Sequence, residues 1–194
     1  MQDTWAVAAT AFGVVFLAEL GDKSQLLLLA QAARRPPLFV FLEAVAAFAL
    51  LSALAVTAGA VLALFVPQPV LLIASGLLFL VFAALAGRAA STEAVPAEKP
   101  MRYGGTFALV VVSEMGDKTQ LATAALAAST GQAFATGFGS WAAESMSALL
   151  VVLIGSWLAR KVATRRQQAI SAILFLVLGV GTLVVALGSM VRYL

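Results

Sequence analysis

The feature that most constrains this chain is a charged heptapeptide set inside an apolar run, because it occurs twice. Glu19-Leu20-Gly21-Asp22-Lys23-Ser24-Gln25 returns ninety-five positions later as Glu114-Met115-Gly116-Asp117-Lys118-Thr119-Gln120, identical at five of seven places. Each copy interrupts a stretch long enough to cross a hydrocarbon core, where a charge at mid-depth costs roughly 2.5 to 3.5 kcal/mol on insertion scales. Six such charges facing lipid would cost on the order of 15 to 20 kcal/mol, more than a typical fold's whole margin of stability. Both copies are therefore expected to face the protein interior, and each other.

The rest of the chain sets the class. Hydrophobic residues make up 62% of 194 positions and charged residues 11%, which excludes a soluble domain. The expectation is an all-α integral membrane protein. With no cysteine and no histidine, the chain has no disulfide, no thiolate zinc site and no histidine-dependent catalysis. An enzyme is not expected, and neither is a resident cofactor. The net charge of +3 is no sign of nucleic acid, because the basic residues fall in loops that flank membrane segments. No Lys or Arg precedes the first apolar run, so a cleaved secretory signal is not expected.

Six apolar segments stand out, at 5–33, 38–66, 70–87, 103–130, 133–159 and 168–191, each near or above a bilayer-crossing length. They predict six transmembrane helices. The loops after the first, third and fifth carry Arg34, Arg35, Arg88, Lys99, Arg102, Arg160, Lys161, Arg165 and Arg166, whereas the other side has Arg192 alone. Nine against one places those loops in the cytoplasm and both termini outside. A membrane location is expected. Trp5, Trp141 and Trp157 fit interfacial places near helix ends.

The duplication extends beyond the heptapeptide. From Phe12 to Ala30 against Phe107 to Ala125, nine of nineteen positions are identical; Leu78-Phe79-Leu80-Val81 recurs as Leu174-Phe175-Leu176-Val177; and Gly59 matches Gly155. The unit is three helices, an odd number, so the second copy enters the membrane with reversed polarity. This predicts a 3+3 inverted repeat: 1–88, a cytoplasmic linker at 89–102, and 103–194.

Within each copy, Glu at i and Asp at i+3 would share a helical face on adjacent turns. Four carboxylates then converge, and crowded acids out of water cannot all stay charged without a counter-cation. A divalent cation and protons would compete for the same oxygens. The candidate metal ligands are Glu19, Asp22, Ser24, Gln25, Glu114, Asp117, Thr119 and Gln120, an all-oxygen set suited to Mn²⁺, Ca²⁺ or Mg²⁺. Lys23 and Lys118 follow their glutamates by four residues, a spacing for an internal ion pair. Gly21 and Gly116 permit either local unwinding or close helix approach. Glu43 reads as interfacial, while Glu144 lies deeper and has no acidic counterpart in the first half. It is a possible accessory acid, with proton-path and packing roles both open.

The doubled signature E-x-G-D-[KR]-[TS], across two three-helix halves, resembles the cation/proton exchanger family that includes Golgi manganese and calcium transporters, a chloroplast manganese transporter and bacterial manganese exporters. Both copies fit without departure, through Glu19, Gly21, Asp22, Lys23 and Ser24 and through Glu114, Gly116, Asp117, Lys118 and Thr119. The resemblance implies a Mn²⁺ or Ca²⁺ for H⁺ antiporter whose motif acids bind the transiently held ion, and whose partners are that cation, protons and the bilayer. Two rivals come from other classes. An intramembrane aspartyl protease also uses Gly-Asp, but here a Glu stands where that family has glycine and no Pro-Ala-Leu segment occurs. A small-solute exporter on a related helical plan gives no reason for four acids, and a cation channel, the other alternative, would show flux without proton coupling.

Overall fold

The computed structural model describes residues 3–19, 22–88, 104–161 and 164–191; the side chains of Lys23, Leu26, Leu174 and residues 86–88, 154–171 (Trp157 among them) and 189–191 lie outside the description. Gly21, the linker at 89–102 and Arg192 also fall outside it, as do the side chains of Arg160, Lys161, Arg165 and Arg166.

Among the described residues eight helices form: α1 Thr4–Glu19, α2 Lys23–Ala32, α3 Pro37–Phe65, α4 Gln68–Arg88, α5 Gly105–Glu114, α6 Lys118–Thr130, α7 Ala133–Lys161 and α8 Thr164–Val191. Among the described residues there is no strand. Long runs of Ala, Leu and Val fold this way because a chain surrounded by hydrocarbon must satisfy every backbone N–H and C=O within its own helix. Three of the helices are long and apolar enough to cross a membrane by themselves, over Pro37–Phe65, Gln68–Leu85 and Ala133–Leu153, and shorter apolar helices lie at Thr4–Glu19, Gly105–Glu114 and Phe175–Gly188.

The boundaries have local causes. Pro37 opens α3, where a missing N–H costs nothing, and Pro67 follows its end. Gly131 closes α6 in the left-handed region at φ 68°. Between Glu19 and Asp22, and again between Glu114 and Asp117, the helix stops and restarts. The predicted first and fourth helices are each two pieces, so Glu and Asp of one motif do not share a helical face as expected. Glu ends one helix and Asp precedes the next.

The outside is apolar, and the inside holds polar and charged groups alongside its apolar core. Leu54, Leu64, Phe65, Leu77, Val112, Leu153 and Val184 are exposed, while Glu19, Gln31, Thr106, Glu114, Thr119, Thr123, Ser140 and Glu144 are buried. This is the arrangement of a body solvated by lipid.

Packing joins the halves rather than separating them. Helix α4 lies along α8, α3 along α7, α1 along α7, and α3 along both α5 and α6. At the α4–α8 contact Gly76 and Gly179 bring the backbones together, since a Cβ on either would collide with the facing helix. Beside them Phe79 stacks on Phe175, ring centroids 6.1 Å apart, both fully buried. Trp141 departs from the interfacial expectation: it lies within α7, half-buried, and its indole N–H donates to the Val45 carbonyl of α3 at 3.2 Å.

Candidate functional site

The two helix breaks meet. One oxygen from each of Glu19, Asp22, Glu114 and Asp117 lies within 4.8 Å of the other three. Both breaks close with the same turn, Asp22 N–H to the Glu19 carbonyl at 3.1 Å and Asp117 N–H to the Glu114 carbonyl at 3.0 Å. Gly116 makes the second turn possible, at φ 78°, and a Cβ there would meet nothing within 4 Å. Of the two roles open to that glycine, the structure uses unwinding and not close approach.

An aspartate just before a helix ordinarily turns its carboxylate back to cap the first N–H groups. Asp117 makes no such cap bond, and its Oδ2 is buried without a hydrogen-bond partner. Oε1 of Glu19 and Oε2 of Glu114 are buried and unpartnered too. Three acids of the cluster thus each keep a buried oxygen without a hydrogen-bond partner, near the positive ends of α2 and α6. Coulomb repulsion between unit charges about 4.8 Å apart is roughly 3 to 4 kcal/mol per pair at an effective dielectric near 20. Cations or protons are needed to hold such a cluster together.

One cation is built in. The Lys118 ammonium lies 2.9 Å from Asp22 Oδ2, so this lysine bridges to the other motif copy instead of pairing with Glu114 four residues before it. The remaining motif residues support the acids. Ser24 donates to Glu19 Oε2 at 3.2 Å. Gln25 reaches across to α7, its amide nitrogen donating to Ser147 Oγ at 2.6 Å. Gln120 does the equivalent on α3, donating to the Leu51 carbonyl at 3.3 Å while its oxygen accepts the Gly116 N–H at 2.6 Å. Thr119 is buried at the start of α6. The four acids converge, then, and Ser24, Gln25 and Gln120 brace the helices around them.

Glu144 is buried beside the cluster, within electrostatic reach of Glu19, Glu114 and Asp117, and accepts a hydrogen bond from Ser52 of α3 at 3.0 Å. Glu43 is not merely interfacial. It forms a two-point ion pair with Arg35, at 2.6 and 3.1 Å, and accepts the N–H groups of Gly104 and Thr106 at 3.0 and 2.9 Å. Arg35 also donates to Thr106 Oγ1 at 2.8 Å. This latch ties the loop after α2 and the first turns of α3 to the first turn of α5. Sequence reading missed it; the only available signal was an acid eight residues after an arginine.

An apolar-skinned helical body holding a buried cluster of acids between two broken helices has the form of an integral membrane protein that handles cations. Comparison with known proteins makes the class specific. The model of the family "Divalent cation/proton antiporter GDT1" matches twice, over residues 7–94 and 103–190. This chain belongs to that family. It is 28% identical over 185 residues to the GDT1-like protein sll0615 of Synechocystis sp. (strain ATCC 27184 / PCC 6803 / Kazusa), covering 84% of this chain and 89% of the relative. It is 30% identical over 187 residues to a Vibrio cholerae serotype O1 protein named "Putative manganese exporter", covering 93% of this chain and 92% of that one. No solved structure matches the chain.

Proposed function

We infer that this protein exchanges a divalent cation, Mn²⁺ in the first place and Ca²⁺ in the second, for protons, and that it exports manganese from the cytoplasm across the bacterial inner membrane. The observation that carries the reading is the single interior cluster of Glu19, Asp22, Glu114 and Asp117, two acids from each motif copy. Hard oxygen ligands without nitrogen or sulfur favour Mn²⁺ and Ca²⁺ over zinc or copper. The manganese assignment draws on the name of the Vibrio cholerae relative.

The framework in this reading is a pair of inverted three-helix repeats, 1–88 and 103–194 joined by the linker 89–102, spanning the membrane six times with both termini outside. Two observations support it. The family model matches each half separately, at an offset of ninety-six positions. Phe79 and Phe175, related by that same offset, stack on each other as residues beside a two-fold axis do.

The chemistry is competition for one set of oxygens. A divalent cation entering the cluster neutralises two negative charges and displaces protons; protons arriving from the other side release the cation. Lys118 holds Asp22 between these events. The breaks at 19–22 and 114–117 let α1 and α5 move relative to α2 and α6 without pulling the acids apart.

The test is coupled flux in proteoliposomes carrying an imposed pH gradient. Addition of Mn²⁺ or Ca²⁺ collapses the gradient for the native chain, and Glu19→Gln or Glu114→Gln abolishes the response while the protein remains folded. Native-level flux in both variants would remove the site assignment, and metal flux without proton movement would make the protein a channel.

A further inference from the structure

Helices α3 and α7 hold equivalent places in the two halves, are 29 residues long, and start ninety-six positions apart, so they can be compared residue by residue. One buried face of α7 carries Thr136, Ser140, Glu144 and Ser147. The same four positions of α3 are Val40, Ala44, Phe48 and Leu51, equally buried. Every pair exchanges a polar for an apolar side chain. The neighbouring short helices follow suit at one place, where Thr123 of α6 corresponds to Leu28 of α2. Gln31, in the last turn of α2, and Ser52 of α3, whose α7 counterpart is Ala148, are exceptions on the apolar side.

The polar face leads to an opening. A cavity of about 270 Å³ lies between the start of α1, the end of α6 and the start of α7, with Asp3, Thr10, Thr130 and Thr136 set in a largely apolar wall that includes Val7 and Leu126. The Thr136 hydroxyl is fully buried yet has no hydrogen-bond partner. A group left that way is costly unless something visits it. One turn further along α7, Ser140 accepts a hydrogen bond from Thr123 at 2.9 Å. One turn beyond that is Glu144, beside the acids. From Thr136 to Glu144 is about 12 Å of helix rise, so hydroxyls at each turn bridge the cavity and the cluster.

The apolar face leads nowhere. Val40, Ala44, Phe48 and Leu51 pack with Leu28, Val110, Ala148 and Val151 into one core cluster. Beyond them the Arg35–Glu43 latch holds the start of α5 down. A hydrated cation can shed water onto hydroxyl and carboxylate oxygens, but not onto valine, alanine and phenylalanine.

The geometry points to the α6–α7 hydroxyl face as the route by which water, protons and the dehydrating cation reach the four acids, closed by the Thr123–Ser140 pair, with the α3 face as the sealed exit. This rests on the exchanger reading of the acid cluster. The chain contains no cysteine, so single cysteines report access without background. The full chain in sealed vesicles, treated with a charged membrane-impermeant methanethiosulfonate, is expected to label at Thr136→Cys and Ser140→Cys at least tenfold faster than at Val40→Cys and Ala44→Cys. The labelling comes from the side on which Asp3→Cys reacts. Equal rates, or faster labelling on α3, would overturn the route. A second arm uses Thr123→Val with Ser140→Ala, which slows Mn²⁺-driven proton flux tenfold or more with Mn²⁺ binding unchanged; unaltered flux counts against it. The labelling needs no transport, so a labelled α7 face in a protein that moves no Mn²⁺ sinks the exchanger reading and leaves the route standing.

Discussion

The inward faces of α3 and α7 occupy equivalent places in a duplicated sequence and have opposite chemistry, while the motifs between them are nearly identical. The difference teaches where symmetry matters. In the proposed exchanger the centre must present similar ligands from both sides, since the same ion would be handed across it. The flanks need not match. In a transporter built from inverted repeats, exchanging the conformations of the two halves converts one access state into the other. Identical flanks would make those two states equal in energy. Here, burying Phe48 where the other half has Glu144 biases the pair, because a fully buried Phe is worth about 1.5 to 3 kcal/mol and a buried acid needs partners. In the proposed exchanger, the apolar half would be the one that prefers to stay shut.

The largest predicted effect comes from giving the polar half the other half's chemistry. Glu144→Leu replaces a buried acid by a hydrophobe of similar volume, so the relief of burying a carboxyl offsets the Ser52 hydroxyl left without its acceptor. Coupled Mn²⁺/H⁺ flux is expected to fall at least a hundredfold while the protein melts no earlier. Retention of native flux would show that the polar face is packing and that the contrast with α3 has no functional meaning.

Next in size is the latch, which the polar half lacks: Gly131 and Gly139 stand where the first half has Arg35 and Glu43. Arg35→Ala leaves Glu43 without its ion-pair partner in a mostly buried setting, 7% and 15% exposed for the two side chains. The expected cost is about 1 to 3 kcal/mol, since Glu43 keeps the N–H groups of Gly104 and Thr106, and it is read as earlier thermal unfolding in detergent. Glu43→Gln is milder, because one amide oxygen can still accept an N–H from Gly104 or Thr106. In Arg35→Ala the Val40→Cys position should also become reactive toward the impermeant reagent. A destabilised variant in which Val40→Cys stays protected would mean that the apolar cluster alone seals that side.

The motif itself yields a smaller effect. Gly116→Ala forces an alanine into φ 78° with open space around its Cβ, so the cost is conformational only, about 1 to 2 kcal/mol. If the variant loses flux far beyond that, the break must change shape during transport; flux matching the native protein would make the break a rigid elbow.

Much of this could be read from the chain beforehand, and the reasons differ by feature. Helix positions follow from apolar runs bounded by Pro and Arg, and observed ends such as Pro37, Phe65, Thr130 and Ala133 fall within a residue or so of the expectation. The four acids were marked by their repetition. The breaks were not legible, because Glu-x-Gly-Asp is as compatible with a continuous helix as with two pieces, and only packing selects φ 78° at Gly116. The pairing of Lys118 with Asp22 was hidden for a related reason: local spacing favours Glu114, and the true partner is ninety-six residues away. The α7 stripe was present as Thr136, Ser140, Glu144 and Ser147 at helical spacing. It becomes meaningful only when set beside Val40, Ala44, Phe48 and Leu51.

The smallest effect is also the sharpest test of the comparison, since it exchanges a single equivalent pair without changing shape. Thr136→Val removes a buried hydroxyl that has no partner, and Val40→Thr places one in a packed apolar cluster. An unsatisfied buried hydroxyl costs about 1 to 3 kcal/mol, so Thr136→Val should stabilise by about 1 kcal/mol and Val40→Thr destabilise by about as much, both visible as opposite shifts in melting temperature. Function should run the other way at the first site. Thr136→Val is expected to slow coupled flux several-fold although the protein is more stable, the exchange of activity for stability found where a strained or unsatisfied group does work. If both variants shift stability in the same direction, the hydroxyl of Thr136 is satisfied in the membrane by something other than passing water or ions. The two faces would then differ in sequence but not in role.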